Sequence, residues 1–294
     1  MKKLFIDELI SAPKVNGMNG ETRNQLKQSH VFLVQNILPT IPDKIYFSQL
    51  PRLVPPYENC WFEWTSNVKK RDDAPDDFSG ELDERLLDIM LNPEGDARAG
   101  VKLTSQHNNG GGWSIYLQFF MRMGNNPPLM LPIAYAVKLN ADGFLINTEK
   151  LIQEGLPQIF NELASQMLTD NKTQGSINTV LYALGLLNCK NIVTIERGGP
   201  PAGVERNRHR VWTHRHYVLQ IRPLREIKKI EHDGESLARE VSFHFCRGHF
   251  KIYTAEKPLF GKYVGTFWWD AHARGSIKTG IVTKDYNVNP PENT

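Results

Sequence analysis

The chain is poor in cysteine and contains no long apolar run. Its three cysteines, Cys60, Cys189 and Cys246, are scattered, which excludes a disulfide framework and shows no zinc-type spacing. No apolar stretch reaches the ~18 residues that a membrane-spanning helix needs. Asp7 and Glu8 interrupt the apolar run near the first residue, so we expect no secretory signal. The sequence therefore predicts a cytoplasmic protein without a membrane partner.

Several familiar catalytic signatures are also absent. The sequence contains no Gly-x-Ser-x-Gly, no Walker A run, no His-Glu-x-x-His and no Gly-x-Gly-x-x-Gly after a predicted strand. The glycine run 110–112 precedes a predicted strand, whereas a phosphate-binding loop precedes a helix. These absences argue against serine hydrolases, P-loop enzymes, zinc proteases and dinucleotide enzymes, and we expect no cofactor.

Positive charge and histidine are concentrated in the C-terminal third. The whole chain has a net charge of only +3. From Pro201 onward, 16 Lys and Arg stand against 10 Asp and Glu, and this part holds seven of the nine histidines. This third of the chain is therefore the part best suited to phosphate groups.

The order of predicted elements favours an α+β fold with antiparallel strands, a central helical pair and a basic C-terminal antiparallel sheet. An apolar stripe predicts a helix within 21–38, and helical spacing predicts the central pair at 148–169 and 176–187. Alternation and turn signals predict strands at 60–65, 99–106, 113–123, 131–139, 211–221, 240–253, 265–269 and 280–285. We predict three regions: a strand-rich region 1–147, a helical region 148–190 and a basic β region 191–294. The alternative is that all three form one integrated domain.

The candidate site lies in the strands near the C-terminal end. If 240–253 is one strand, Arg247, His249, Lys251 and Tyr253 share a face, unless a bulge at Gly248 reverses the alternation. The second run is predicted to place four further residues on one face: Trp268, Asp270, His272 and Arg274. If the two runs pair, two histidines, two arginines and a lysine converge.

This set matches the needs of metal-free phosphodiester chemistry. Histidine can serve as acid or base near neutral pH, so His249 and His272 are the catalytic candidates. Arg247 and Arg274 offer fixed positive charge to phosphate oxygens, and we expect them to share that site. The predicted nucleic-acid contacts are Lys251, Tyr253, Trp268, Lys284, Arg208, Arg210 and Arg215.

Two alternatives remain open from the residues alone. The same side chains suit a structural role, with Arg247 and Arg274 paired to acids and the tryptophans in the core. His214 and His216 also share a strand face, at a spacing that can hold a metal. The surrounding arginines would repel a cation, so we expect a phosphate-binding segment there and no metal site.

The C-terminal region resembles a group of largely uncharacterised proteins from phages, plasmids and other mobile elements. The resemblance rests on the runs Arg247-Gly248-His249-Phe250, Pro258-Leu259-Phe260-Gly261, Trp268 to Gly275, and Lys284-Asp285-Tyr286. It implies a mobile-element origin and assigns no catalytic residue. The predicted order of helices before a basic antiparallel sheet also loosely resembles small metal-free ribonuclease toxins.

Three functions follow as hypotheses. The first is a nucleic-acid-binding protein that prefers RNA or single strands, with metal-independent ribonuclease activity as its sharper version. The second is an interaction protein that inhibits or recruits a host protein through aromatic strands. The third is a virion or scaffold component that self-assembles.

Overall fold

We used a computed structural model of the chain. It describes residues 3–15, 17–42, 45–66, 97–153, 174–199, 214–222, 242–246, 248–274 and 276–281. Among these residues, no helix has both the length and the apolar character needed to cross a bilayer.

A large, mostly antiparallel sheet forms the centre of the described structure. Its eight strands lie in the order β6-β5-β4-β3-β2-β1-β8-β7. Only β1 pairs in parallel, with β2 on one side and β8 on the other. The strands are β1 (His30–Leu33), β2 (Asn59–Ser66), β3 (Ala97–His107), β4 (Trp113–Arg122), β5 (Leu129–Leu139), β6 (Leu145–Ile152), β7 (Ile192–Arg197) and β8 (His216–Ile221). The predicted α+β class is confirmed at this level.

Short turns connect the antiparallel strands, as their sequences predict. Between β3 and β4, the Asn108 amide donates to the Gly112 carbonyl, and the Gly111 amide donates back to Asn108. Gly111 and Gly112 have φ near +85°, a conformation that glycine adopts without a steric penalty. The glycine run is therefore a hairpin turn between β3 and β4, which agrees with the prediction that it precedes a strand.

Two predicted helices differ from the structure. The stretch 21–38 divides into helix α2 (Gly20–Gln28), strand β1 and a 3₁₀ helix (Gln35–Thr40). The apolar run of β1 is covered by paired strands on both sides, and such a run fits a helix or a buried strand equally well. The first helix of the predicted pair is also wrong at its start, because Thr148 lies in β6 opposite Val137. Its residues 154–169 lie outside the described part of the chain.

The second predicted helix is confirmed as α3 (Gln174–Leu187). Its apolar side packs on one face of the sheet, with Ile177, Val180, Leu181 and Leu184 fully buried. The Gly185 position also approaches Phe250 closely, since a Cβ there would lie 3.1 Å from its ring. Helix α3 therefore connects the large sheet to the C-terminal strands.

The opposite face of the sheet is covered by α1 (Phe5–Ser11) and α2. Phe5, Ile6 and Leu9 pack there against Trp61 and Phe120. Buried Glu63 of β2 accepts hydrogen bonds from the first backbone amides of α1. This carboxylate satisfies amides that have no partner within the helix and so positions α1 on the sheet.

The C-terminal strands form two smaller sheets. Strand β10 (His249–Tyr253) pairs antiparallel with β11 (Gly265–Trp269), which confirms a small antiparallel sheet. Strand β9 (Ser242–Cys246) lies between β12 (His272–Arg274) and β13 (Ser276–Ile281), antiparallel to the first and parallel to the second. The predicted single strand 240–253 is therefore two strands. The proposed boundaries of the three regions stay predictions, although β6 runs across residue 148.

Candidate nucleic-acid interface

The two-stranded ribbon of β10 and β11 places its side chains on two distinct faces. His249 lies opposite Trp269, Phe250 opposite Trp268, and Lys251 opposite Phe267 in the ladder. Because successive side chains point to opposite faces of a strand, Phe250 and Trp268 share the inner face and Lys251 lies on the outer one. The two runs singled out in the sequence therefore do meet.

The inner face belongs to the hydrophobic core. Trp268 is only 1% exposed, and its ring lies 4.9 Å from Phe250 and 5.5 Å from Tyr182 of α3. Its backbone amide and carbonyl bond the side chain of Asn191, each at 2.8 Å. The predicted role of Trp268 in stacking a base is therefore corrected, because protein already covers this ring.

The break between β9 and β10 also depends on Trp268. A Cβ at Gly248 would lie 2.4 Å from Cζ2 of the Trp268 ring, a distance that no side chain tolerates. Only glycine allows the backbone to pass this close to the indole. The sequence predicted a bulge at Gly248 or the close approach of another backbone, whereas the structure shows the close approach of the Trp268 side chain.

The outer face carries one lysine ammonium between two aromatic rings, followed by a histidine ring, and we call these residues the outer strip: Tyr253, Lys251, Trp269 and His272. The Lys251 ammonium lies 5.0 Å from the centroid of the Tyr253 ring and 5.7 Å from that of Trp269. The Trp269 and His272 rings are 6.4 Å apart. Lys251 is exposed and the three rings are partly exposed. The strip therefore offers aromatic surface and positive charge together.

Asp270 explains how His272 comes to lie beside Trp269. Its carboxylate accepts from the Ala271 amide at 2.9 Å, a local bond that competes with strand pairing, and β11 ends at this point. Strict alternation had predicted Trp268 and His272 on one face. The interruption at Asp270 instead brings His272 to Trp269 on the outer face.

The hydrogen bond of His272 fixes its tautomer. Nδ1 lies 2.8 Å from the Asp270 carbonyl oxygen, which can only accept, so Nδ1 carries a hydrogen. In the neutral ring Nε2 is then the proton acceptor. His249, the first residue of β10, is exposed. The ladders place Cys246 opposite His272 and Trp269 opposite His249, so the two histidines lie in different small sheets.

The remaining predicted contacts are distributed differently. Arg215 lies near the β7–β8 edge of the large sheet, where it forms an exposed salt bridge of 3.1 Å with Glu196. The backbone of Arg274 pairs with His244 in β12 and β9, but its side chain is not among the described features. The other predicted residues lie outside the described part of the chain: Arg208, Arg210, Arg247 and Lys284.

The histidines at 214 and 216 have separate protein partners. His214 Nδ1 lies 2.6 Å from Asp7 of α1, and His216 Nδ1 lies 3.0 Å from the His214 carbonyl. The side-chain hydrogen bond to Asp7 raises the pKa of His214 above its ordinary value. Among the described residues, no three His, Cys, Asp or Glu side chains cluster as a metal site would require.

Trp269 is the residue of the outer strip that the sequence pattern did not identify. Alternation separated it correctly from Trp268, but two adjacent tryptophans gave no sign of which ring would be buried. The structure identifies the inner ring, because the ladder places Phe250 opposite Trp268. Comparison with protein-family models, with curated protein sequences and with solved structures gave no significant match.

Proposed function

We propose that this protein binds single-stranded nucleic acid along the outer strip. The observation that carries the proposal is the position of Lys251, whose ammonium lies 5.0 Å from the centroid of one partly exposed ring and 5.7 Å from that of another. Single-strand-binding proteins combine cations that follow the backbone with aromatic rings on which bases stack. Tyr253 and Trp269 would supply the stacking surface, and Lys251 would contact a phosphate.

The same arrangement favours a single strand over a duplex. In a duplex the faces of the bases are stacked on each other, whereas the bases of a single strand can spread onto protein rings. Stacking on an aromatic side chain contributes about 1–3 kcal/mol per base. A lysine between two rings would place a phosphate between two stacked bases. This order matches a single nucleic-acid strand, in which one phosphate links each pair of successive nucleotides.

Metal-independent cleavage of the bound strand is a more specific form of this proposal. The tautomer of His272 favours it as a base, because Nε2 is left as the acceptor. An acid for the leaving oxygen would be His249, which lies in the other small sheet. Both imidazoles must act at one phosphate, so binding is the function that the geometry supports best, and cleavage stays a prediction.

A salt titration tests the binding proposal. Labelled single-stranded RNA, single-stranded DNA and duplex are titrated with protein in EDTA at several salt concentrations. We expect single strands to bind more tightly than duplex, with an affinity that falls as salt rises. Lys251→Gln should reduce the slope of log K against log salt by about 0.7, the value for one lost phosphate contact with a single strand.

Lys138→Gln is the matched control, because Lys138 is an exposed strand lysine on β5, away from the ribbon. An equal effect of the two substitutions would contradict the assignment to the outer strip. Denaturing gels of the same samples test cleavage, which His249→Ala and His272→Ala must each abolish if these residues are catalytic.

The other two functions are outcomes of the same set of experiments. A host protein that co-purifies after nuclease treatment, without any binding of nucleic acid, would favour the interaction protein. Large assemblies at micromolar concentration would favour a virion or scaffold component. A mobile-element origin fits all three functions and is part of the proposal.

A further inference from the structure

A cavity of about 420 Å³ lies on the inner side of the ribbon, next to the segment that follows the first 3₁₀ helix. Four aromatic residues line it: Tyr46, Tyr182, Phe250 and Trp268. Small-molecule sites in proteins have volumes of about 300–1,000 Å³ and are mainly apolar and aromatic. This cavity has the size and the lining of a ligand site.

Three of these rings form a wall that is held in place. The centroid distances are 4.9 Å for Phe250–Trp268, 5.1 Å for Tyr182–Phe250 and 5.5 Å for Tyr182–Trp268, all with tilted or edge-on geometry. The Tyr182 hydroxyl donates to the Thr40 carbonyl at 2.8 Å. The wall is therefore ordered before any ligand binds, which lowers the entropic cost of binding.

The polar groups of the cavity are few and specific. Gln49 supplies an amide with both a donor and an acceptor. The indole N–H of Trp268 is itself buried and is not offered to a ligand. No described residue of the lining is acidic or carries a permanent positive charge. The lining therefore suits a flat, neutral, heteroaromatic group with a donor and an acceptor at its edge.

The mouth of the cavity adjoins the outer strip. His249 lines the cavity and is exposed, and Lys251 follows two residues later on β10. Tyr46 also lines it, although 54% of this residue is exposed to solvent. An exposed ring at the rim of an aromatic cavity is placed to cover a bound flat group.

We propose that this cavity binds a nucleobase, which stacks on Phe250, the partly exposed ring of the wall, while its sugar and phosphate stay outside. A glutamine amide can bond the edge of adenine with one donor and one acceptor, so adenine is the first base to test. The base can come from a free nucleoside or from a bound strand. The second source rests on the proposed function.

The test uses the full chain with Tyr46→Ala and Gln49→Ala. Both residues are exposed, so the folded state should tolerate these changes, which thermal unfolding would verify. Gln28→Ala, an exposed glutamine at the end of α2, is the matched control. Binding of adenosine, of a short single-stranded oligonucleotide and of the same oligonucleotide with one abasic position is measured by calorimetry.

We expect Tyr46→Ala to weaken base-dependent binding about 5-fold to 100-fold, the loss of one stacking partner, and Gln28→Ala to change nothing. If adenosine binding shows this loss, the source is a free nucleoside. If only the intact oligonucleotide shows it, and the abasic strand does not, the source is a strand.

The failure of this inference is distinguishable from that of the proposed function. One outcome would overturn the proposed base site and support the outer strip. In it, oligonucleotide binding depends on Lys251 but is unchanged by Tyr46→Ala and Gln49→Ala, and adenosine does not bind. Adenosine binding that depends on Tyr46, without any oligonucleotide binding, would support the base site in the cavity and overturn strand binding along the outer strip.

Discussion

Glu63→Gln, which replaces one carboxylate oxygen by an NH₂ group, should destabilise the protein strongly. Glu63 is 5% exposed, and its Oε1 accepts from the Phe5 amide at 3.0 Å and from Arg98 at 3.4 Å. Its Oε2 accepts from the Ile6 amide at 3.1 Å and from the Trp61 indole N–H at 2.8 Å. The carboxylate therefore joins helix α1, β2 and β3 through four donors.

Glutamine has the same shape but only one accepting oxygen. In either orientation its NH₂ faces two buried donors, and these donors lose their acceptor. An unsatisfied buried donor costs about 1–3 kcal/mol, and loss of one partner of a buried ion pair costs about 3–5 kcal/mol. Arg98 keeps its 2.6 Å contact with Glu8, which limits the loss. We therefore expect the free energy of unfolding to fall by roughly 2–5 kcal/mol.

Urea unfolding followed by circular dichroism measures this change as a shift of the midpoint at constant slope. Glu58→Gln is the control, because Glu58 is exposed immediately before β2 and should change stability by no more than about 0.5 kcal/mol. If Glu63→Gln also stayed within about 0.5 kcal/mol of the wild type, the carboxylate would not hold α1 to the sheet as described.

Two further predictions concern stability and pH. The hydrogen bond to Asp7 raises the pKa of His214, so this contact should stabilise the fold fully below pH ~6.5 and lose its effect as the pH rises through the folded-state pKa. The free energies of unfolding of the wild type and His214→Gln should therefore differ most on the acidic side. A difference that stays constant with pH would contradict this prediction. Burial lowers the pKa of Lys102 to about 8, so the unfolded chain holds this proton more tightly than the folded protein does. The free energy of unfolding should therefore rise between pH ~8 and ~10.5, and rise less in Lys102→Met. An identical pH profile for both proteins would refute the lowered pKa.

The hairpins of the large sheet could be predicted because their signals are local. Residues 101–104 alternate between apolar and polar, and glycine-containing turns follow both β3 and β5. Strand β1 could not be placed in the same way, since its partners β2 and β8 are distant in sequence. The second half of β6, from Thr148, fits the predicted helix because the helical spacing of later residues extends back to that position.

The candidate site shows the same limit. Alternation correctly predicted that Lys251 and Tyr253 share a face, and that Phe250 takes the other. It could not decide which of two neighbouring tryptophans is buried, because that depends on contact with Tyr182 in α3. The cavity was not predicted either, since Tyr46 and Gln49 come from a segment without a strand or helix period.

Photochemical cross-linking tests the central claim most directly. A single-stranded oligonucleotide that carries 4-thiouridine is irradiated with the full chain, and the cross-linked peptides are identified by mass spectrometry. We expect cross-links at Tyr253 and Trp269, with loss of both when Lys251 is changed to glutamine at moderate salt. Cross-links that map instead to the edge around Arg215, or that persist unchanged in Lys251→Gln, would contradict it.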